Sequence, residues 1–424
     1  MAAMRSNLQP DIALAERLFT VLHEATFDGV GITRAAYGEG ERIAHALVRE
    51  AADGLGLETQ TDAAGNLLMT LAGEDRSRPR VVLGSHLDSV RQGGNFDGAA
   101  GILAGLASVA GMRAAGFRPG CDLTVLAARA EESGSWFPTS FPGSRAALGT
   151  LPASALEVRR MDTGRTLADH MTEAGFCPDA VRAGRSALAP NSVAAYVEVH
   201  IEQGPVLDSL GIPVGIVTGI PGSRRLRAAR VLGEYNHSGA TPRKFRRDAA
   251  IAAAELAVAL DETWLDLDLS GHSLVVTFCV MGTTAEAGFT KVPGEARFEL
   301  DVRSVDPASM DAVFSELHRL VPRIAARRGV RFVLGDETGS DATAMDAGVR
   351  SALARAAQLL GVAYRDMPSG GGHDAVAFAQ AGVPSGMMFV RNQNGSHNPH
   401  EAMRMEDFAA ATAVLMRWAA EAAG

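Results

Sequence analysis

Three short apolar runs, each followed closely by histidine or acid, limit this chain more than any other feature. Residues 81–83 run into Ser-His86-Leu-Asp88. Residues 123–128 run into Glu131 and Glu132. Residues 194–201 contain Glu198 and His200 and stop before Glu202. Runs this apolar have little room for a wet face, so they read as strands buried on both sides. Such strands belong to mostly parallel sheets covered by helices. The intervening stretches supply those helices: residues 12–25 and 42–55 have helical apolar spacing, and residues 99–115 read as a helix of small side chains. In open α/β sheets ligands gather at the carboxyl ends of the strands. Polar residues at all three ends therefore mark a site.

The middle of the chain reads differently. Residues 226–232, 273–281 and 296–302 are strand-like, while 247–263 and 308–326 are helical. These elements make an independent α+β unit, and helix–strand alternation returns after Asp341. With 424 residues there is enough chain for two cores. The expected architecture is α/β: a mixed-sheet catalytic domain formed by residues 1–212 and 329–424, with a smaller α+β domain inserted at 213–328.

Composition removes several function classes. A net charge of −9 leaves no basic face for nucleic acid. The longest stretch of small apolar residues, 98–110, is too short and too glycine-rich to span a bilayer. The amino-terminal residues carry acids and no apolar core, so they do not read as a signal peptide. Cys121, Cys177 and Cys279 are odd in number and form no CxxC pair, which excludes a thiolate zinc site and fits a reducing compartment. They are expected to be small buried hydrophobes. The cytoplasm and a small-molecule substrate follow as expectations.

Four clusters carry chemistry. In GSHLDSVRQGGNFDG (84–98), the i, i+2 spacing puts His86 and Asp88 on one face, where Asp88 is placed to bond the far nitrogen of a metal-binding His86. Asp97 follows at a glycine-rich turn. Glu131 and Glu132 repel one another unless a cation is present, in which case one ligates and the other handles protons. Alternation puts Glu198, His200 and Glu202 on one strand face. The last cluster pairs GGGHD (370–374), whose His373 reads equally well as structural, with GSHNPHE (395–401), whose His397 lies in a loop. Taken singly each reads as a solvated polar segment. Together His86, Asp97, Glu132, His200 and His397 form a sulfur-free ligand set suited to zinc, manganese, cobalt or nickel. A carboxylate such as Asp97 is able to bridge two ions.

GSHLDSVRQGGNFDG, EVHIEQGPVL and GSHNPHE, in this order and with GGGHDA before the last, resemble the metal-dependent amidohydrolase family of N-carbamoyl-L-amino acid hydrolases, β-alanine synthase and allantoate amidohydrolase. The similarity covers nearly the whole chain, with a more distant likeness to zinc aminoacylases and carboxypeptidases. It implies two divalent ions per subunit: one on His86, Asp97 and His200, the other on Asp97, Glu132 and His397. It makes Glu131 the general base, lets Asp88 orient His86, and places Gln203 in the substrate pocket. The inserted domain would be a lid and dimerisation domain, giving a homodimer with shared active sites. In it His237 would reach the partner's site and polarise the substrate carbonyl, and Arg303 would pair with the substrate carboxylate.

Three positions depart from the family pattern. Thr290 stands where the family has a substrate-binding asparagine, Trp136 where arginine is common, and Arg391 in a turn that is usually small. Arg391, with nearby His400, reads as a surface residue or as a contact for an extra negative group on the substrate. The implied reaction is hydrolysis of an N-carbamoyl-L-amino acid, with allantoate or another ureido compound, or an N-acyl amino acid, as alternatives. From other classes stand a non-catalytic metal-binding dimer, which needs no spare base beside Glu132, and a two-metal phosphoesterase. The latter calls for phosphate-binding groups that only Arg303 and Arg391 supply.

Overall fold

The computed structural model describes residues 8–132 and 134–424. The first seven residues, part of the stretch read above for a signal peptide, and Ser133 lie outside the described residues. The chain forms two units, Met1–Thr218 with Met345–Gly424, and Gly219–Ala344.

The larger unit opens with helices α1 (Ile12–Thr26) and α2 (Glu39–Gly54), strands β1 (Glu58–Thr61), β2 (Leu67–Leu71) and β3 (Arg80–His86), and helix α3 (Ala99–Ala114). It continues with β4 (Leu123–Ala128), β5 (Val193–Ile201) and β6 (Val214–Val217). The smaller unit then contributes β7 (Gly222–Leu232), helix α4 (Ala249–Leu269), β8 (Leu274–Thr283), β9 (Glu295–Ser304), helix α5 (Pro307–Arg328), β10 (Arg331–Val333) and β11 (Glu337–Ser340). On its return the chain adds helix α6 (Ala347–Leu360), β12 (Tyr364–Met367), β13 (Ser385–Val390) and helix α7 (Met405–Ala422).

The eight strands of the larger unit lie in the order β1-β2-β4-β3-β5-β13-β6-β12. The four central strands, β4, β3, β5 and β13, run parallel to their neighbours among themselves, whereas β2 against β4 and β6 against β13 are antiparallel. The sheet is therefore mixed. The central strands are almost wholly buried, which is why they are the apolar runs visible in the sequence. Helix α3 is buried nearly end to end. Its small side chains permit this: a Cβ on Gly101 would strike the Val199 carbonyl and Ser85.

In the smaller unit, β8, β9 and β7 pair antiparallel, and β10 and β11 both add to β7. Helices α4 and α5 bury Leu256, Leu260, Phe314 and Leu317 in a core with Phe298, Leu300 and Val302 of β9. The sequence-based boundaries, 213 and 328, differ from the observed 219 and 344 at both ends. Val214–Val217 belongs to the large sheet because it pairs with β12 and β13. Residues 331–340 stay with the small sheet because β7 is long enough to carry β10 and β11 on the edge away from β9. The cysteine expectation is corrected for two positions: Cys121 is buried, but Cys177 and Cys279 are exposed thiols. Among the described residues no helix is long and apolar enough to cross a membrane.

Candidate metal centre

His86 ends β3 and His200 is the penultimate residue of β5, so the two neighbouring parallel strands bring their rings together, Nε2 to Nε2 at 3.3 Å. Each ring is oriented from behind. His86 Nδ1 lies 3.0 Å from the Asp88 carbonyl oxygen and 3.4 Å from its Oδ1. His200 Nδ1 lies 2.9 Å from the Ile201 carbonyl oxygen. A carbonyl only accepts, so both rings carry their proton on Nδ1 and turn Nε2 lone pairs toward each other. Asp97 Oδ1 joins them, 3.1 Å from His200 Nε2 and 3.6 Å from His86 Nε2. It is buried with no hydrogen-bond donor. Lone pairs converging on an orphaned carboxylate oxygen repel one another unless a cation lies among them, and the donor set suits a divalent metal.

Asp97 reaches this position through a turn that only glycine allows. Gly98 has φ +67° and a Cβ there would enter the His86 ring. The other carboxylate oxygen, Oδ2, faces a second group: His397 Nε2 at 3.3 Å, with Glu132 Oε1 3.6 Å from the same nitrogen. Asp97, Glu132 and His397 thus form a second possible ligand set that shares Asp97 with the first. All five ligand residues expected from the sequence come together.

Glu131 belongs to neither set but lies beside them, its Oε2 3.8 Å from His86 Nε2. The turn that carries it is fixed tightly. Ala130 is left-handed at φ +59°, Ala130 N–H donates to the buried Glu41, and Glu131 and Glu132 N–H each donate to one oxygen of Asp88 at 3.0 Å. Asp88 therefore holds the acidic pair by its backbone as well as orienting His86. Gln203 and His397 are left-handed too, at +64° and +60°. Non-glycine residues in such sparsely populated backbone regions cost about 1–3 kcal/mol each and collect at functional sites.

Electrostatics follow from crowding. Burial pushes the Glu131 carboxyl well above its usual range, and the neighbouring carboxylates of Glu132, Asp374 and Asp88 add to the shift against His86. Glu132 is raised to about 8, by burial first and then by Asp97. Burial alone would lower His86, but Glu131, Asp88 and Asp97 outweigh it and raise it well above the ordinary value.

Several residues are placed differently from expectation. Arg391 is engaged within the fold: its Nε and Nη2 form a fork with Asp407, both at 2.8 Å. The Gln203 amide is engaged on Asp97 Oδ2 at 2.9 Å and lies 3.2 Å from His397 Nε2. Glu202 does not complete a ligand face but lies beyond the end of β5 and caps Val206 and Leu207 N–H at 2.7 Å each. Glu198 holds the GGGHD loop through Ala375 N–H at 2.8 Å. His373 is buried with its ring against His200, centroids 4.5 Å apart. Trp136 is buried, donates to the Ser89 carbonyl at 2.8 Å and packs under Arg160. Sequence reasoning missed Arg34, a fully buried guanidinium that binds the Leu87 carbonyl at 2.7 Å and the Asn95 side chain at 3.3 Å. It braces the 87–97 loop, and nothing in its own neighbourhood of the sequence signals this.

His237, Thr290 and Arg303 lie in the smaller unit. The exposed His237 pairs with Lys291, and its Nδ1 accepts Gly239 N–H at 3.1 Å and Ala240 N–H at 3.0 Å. Its proton is therefore on Nε2, facing outward as a donor. Thr290 is exposed beside it and accepts Ser238 N–H at 2.9 Å. The Nε–Nη2 edge of Arg303 meets Asp301 Oδ2 at 2.8 Å, while Arg225 binds Asp301 Oδ1 at 3.0 Å.

Residues 82–421 match the model of peptidase family M20/M25/M40. The chain belongs to this family. It is 38% identical over 391 residues to an N-carbamoyl-L-amino acid amidohydrolase of Geobacillus stearothermophilus, covering 91% of this chain and 92% of that one. It is 31% identical to an allantoate amidohydrolase of Bacillus subtilis, covering 89% of each. Among solved structures it is similar to a hydantoinase/carbamoylase family amidase from Burkholderia ambifaria, with TM-score 0.88, 32% identity and 98% of each chain covered. The M20 chain described here is thus a hydrolase acting on C–N bonds other than ordinary peptide bonds, in a metal-dependent family whose candidate ligands it carries.

Proposed function

We propose that the protein hydrolyses an N-carbamoyl-L-amino acid, using two divalent ions and Glu131. The observation that carries this reading is the shared Asp97 between two ligand groups, with a buried carboxylate beside them that belongs to neither. The relative from Geobacillus supports the carbamoyl substrate, and the one from Bacillus keeps allantoate as the second reading.

His86, Asp97 and His200 would hold one ion, and Asp97, Glu132 and His397 the other. When bound, such a pair lowers the pKa of water and polarises a carbonyl oxygen. Glu131 then accepts the proton of the attacking water and delivers it to the leaving nitrogen. His237 donates from Nε2 to the oxygen on which charge develops. The Nη1–Nη2 edge of Arg303, left over by Asp301, is a fork for the substrate carboxylate. Thr290 supplies a hydroxyl near His237. Water adds across the ureido C–N bond, and the products are the amino acid, carbon dioxide and ammonia.

The test is ammonia and amine release from N-carbamoyl-L-amino acids, allantoate, N-acyl amino acids and dipeptides, with and without EDTA. The carbamoyl compounds are expected to lead the N-acyl amino acids and dipeptides by about 100-fold or more in kcat/KM, because a site built to bond a terminal NH2 disfavours analogues without one, and to lead allantoate by a smaller margin. EDTA is expected to abolish that turnover. A lead by allantoate transfers the assignment to the second reading, and EDTA-resistant turnover overturns the metal mechanism.

We further infer a cytoplasmic homodimer. The exposed thiols of Cys177 and Cys279 suit a reducing compartment. Strand β8 is an edge strand that exposes Val275, Val280 and Met281, and α4, packed against it, exposes Ile251, Val258 and Leu265. An apolar edge of this kind is suited to cover by a second copy. If His237 serves the partner's site, mixing His237→Ala with Glu131→Gln chains is expected to restore about one quarter of wild-type activity. Half of randomly mixed dimers are heterodimers, and each has one intact site of two. No recovery after verified subunit exchange would place His237 in its own chain's site or outside catalysis.

A further inference from the structure

The two ligand groups are supported unequally. His86 and His200 lie at the ends of two paired strands, and each ring is held by a backbone carbonyl. His397 lies in an irregular loop, is left-handed, and its side chain is 51% exposed. What holds its loop to the one carrying Asp97 is Glu401, a carboxylate only 8% exposed that the reaction above does not use. Its Oε1 accepts Phe96 N–H at 2.9 Å and Asp97 N–H at 3.2 Å, across some three hundred residues of sequence. Its Oε2 lies 2.5 Å from Ser396 Oγ, which is also 2.8 Å from Asp97 Oδ2. Room for it is made by Gly94, where any Cβ would collide with the Glu401 carboxyl.

We propose that Glu401, acting with Ser396, is the positioning residue that sets the affinity of the Asp97–Glu132–His397 site and leaves that of the His86–Asp97–His200 site largely unchanged. The proposal rests on the two-metal reading. Removing Glu401 frees the backbone at Asp97 and the Ser396–His397 turn together. The strand-borne histidines keep their geometry, so one ion should stay and the other loosen. Outer-shell partners of this kind are worth about 10–100-fold in metal affinity.

Co²⁺ titrated into metal-stripped full-length protein, followed by visible absorption and bound-metal stoichiometry, reads both sites. Wild type is expected to take two ions. Glu401→Ala is expected to bind the first as wild type does and the second about 10–100-fold more weakly. Glu401→Gln retains a carbonyl for the Phe96 and Asp97 amides and is expected to fall between them. Equal weakening of both ions, or two unchanged affinities, overturns the proposal. Should Glu401→Ala fail to fold, Ser396→Ala removes only the hydroxyl between Glu401 Oε2 and Asp97 Oδ2 and leaves the Phe96 and Asp97 amide bonds to Glu401 in place. Selective weakening of the second ion there supports the proposal, and two unchanged affinities overturn it. A wild-type protein that takes up a single ion instead overturns the two-metal reading itself, and this proposal with it.

Discussion

Glu131→Gln is expected to lower kcat by about 10²–10⁴-fold while the protein keeps its metals, the range of loss typical for a positioned general base. The substitution is nearly isosteric. The backbone at this position is fixed by Asp88 through N–H bonds at 3.0 Å to both Glu131 and Glu132, so the turn should not move. Neither ligand set includes Glu131, and metal content should therefore match wild type. What disappears is the group able to take a proton from water and return it to nitrogen. Parallel measurement of kcat and bound metal decides the matter. Near-normal turnover removes Glu131 as the base, and loss of an ion makes it a ligand.

Asp97→Asn is expected to empty both sites. Asp97 is the one residue common to the two groups, and its Oδ1 is buried with no hydrogen-bond partner. An amide in its place lacks the negative charge and turns either an N–H or a neutral oxygen toward the His86 and His200 nitrogens. Outer-shell changes cost about 10–100-fold in affinity, and a shared ligand should exceed the upper end. The loss has a second signature. Ions that bind only the folded protein raise its melting temperature by mass action. In wild type, added Zn²⁺ or Mn²⁺ should raise Tm, because it relieves the repulsion among Asp97, Glu131 and Glu132. In Asp97→Asn that rise should largely vanish. A variant that still binds two ions and keeps the full Tm shift would exclude Asp97 as the bridge.

The parts legible in the sequence are those whose pattern is set by burial. Strands β3, β4, β5 and β13 are buried on both faces, so each is an apolar run, and the small residues of α3 reflect its close approach to the sheet. Strand β1, Glu-Thr-Gln-Thr, is an exposed edge with no apolar signature, and β11, Glu-Thr-Gly-Ser, is wholly exposed. Both exist because a neighbouring strand offers backbone hydrogen bonds, a tertiary cause that no local pattern records. The carboxyl-terminal end of the inserted unit was placed at 328 rather than 344 for this reason. The residues of the two candidate ligand groups were legible because each follows or ends a recognisable strand or lies in a dense motif. The supporting groups were not. Arg34 and Glu41 act on segments far along the chain, and Glu401 appears within a motif whose spacing carries no hint of its bonds to Phe96 and Asp97. The bond of Arg391 was equally invisible, because its partner Asp407 lies on α7, beyond the motif that drew attention to it.

The ends of the smaller unit meet. Gly219 pairs with Ala344, and just outside them Met345 N–H donates to the Thr218 carbonyl at 3.1 Å. A segment whose ends touch in this way can be exchanged as a cassette, since its host needs to bridge no gap when it is removed or replaced. The residues proposed to recognise the substrate, His237, Thr290 and Arg303, travel inside that cassette, whereas the five candidate ligands and Glu131 stay with the host. On the proposed roles, substrate range and metal chemistry would be recorded in separable parts of one gene, and recombination at two adjacent points in the structure would exchange the first without disturbing the second.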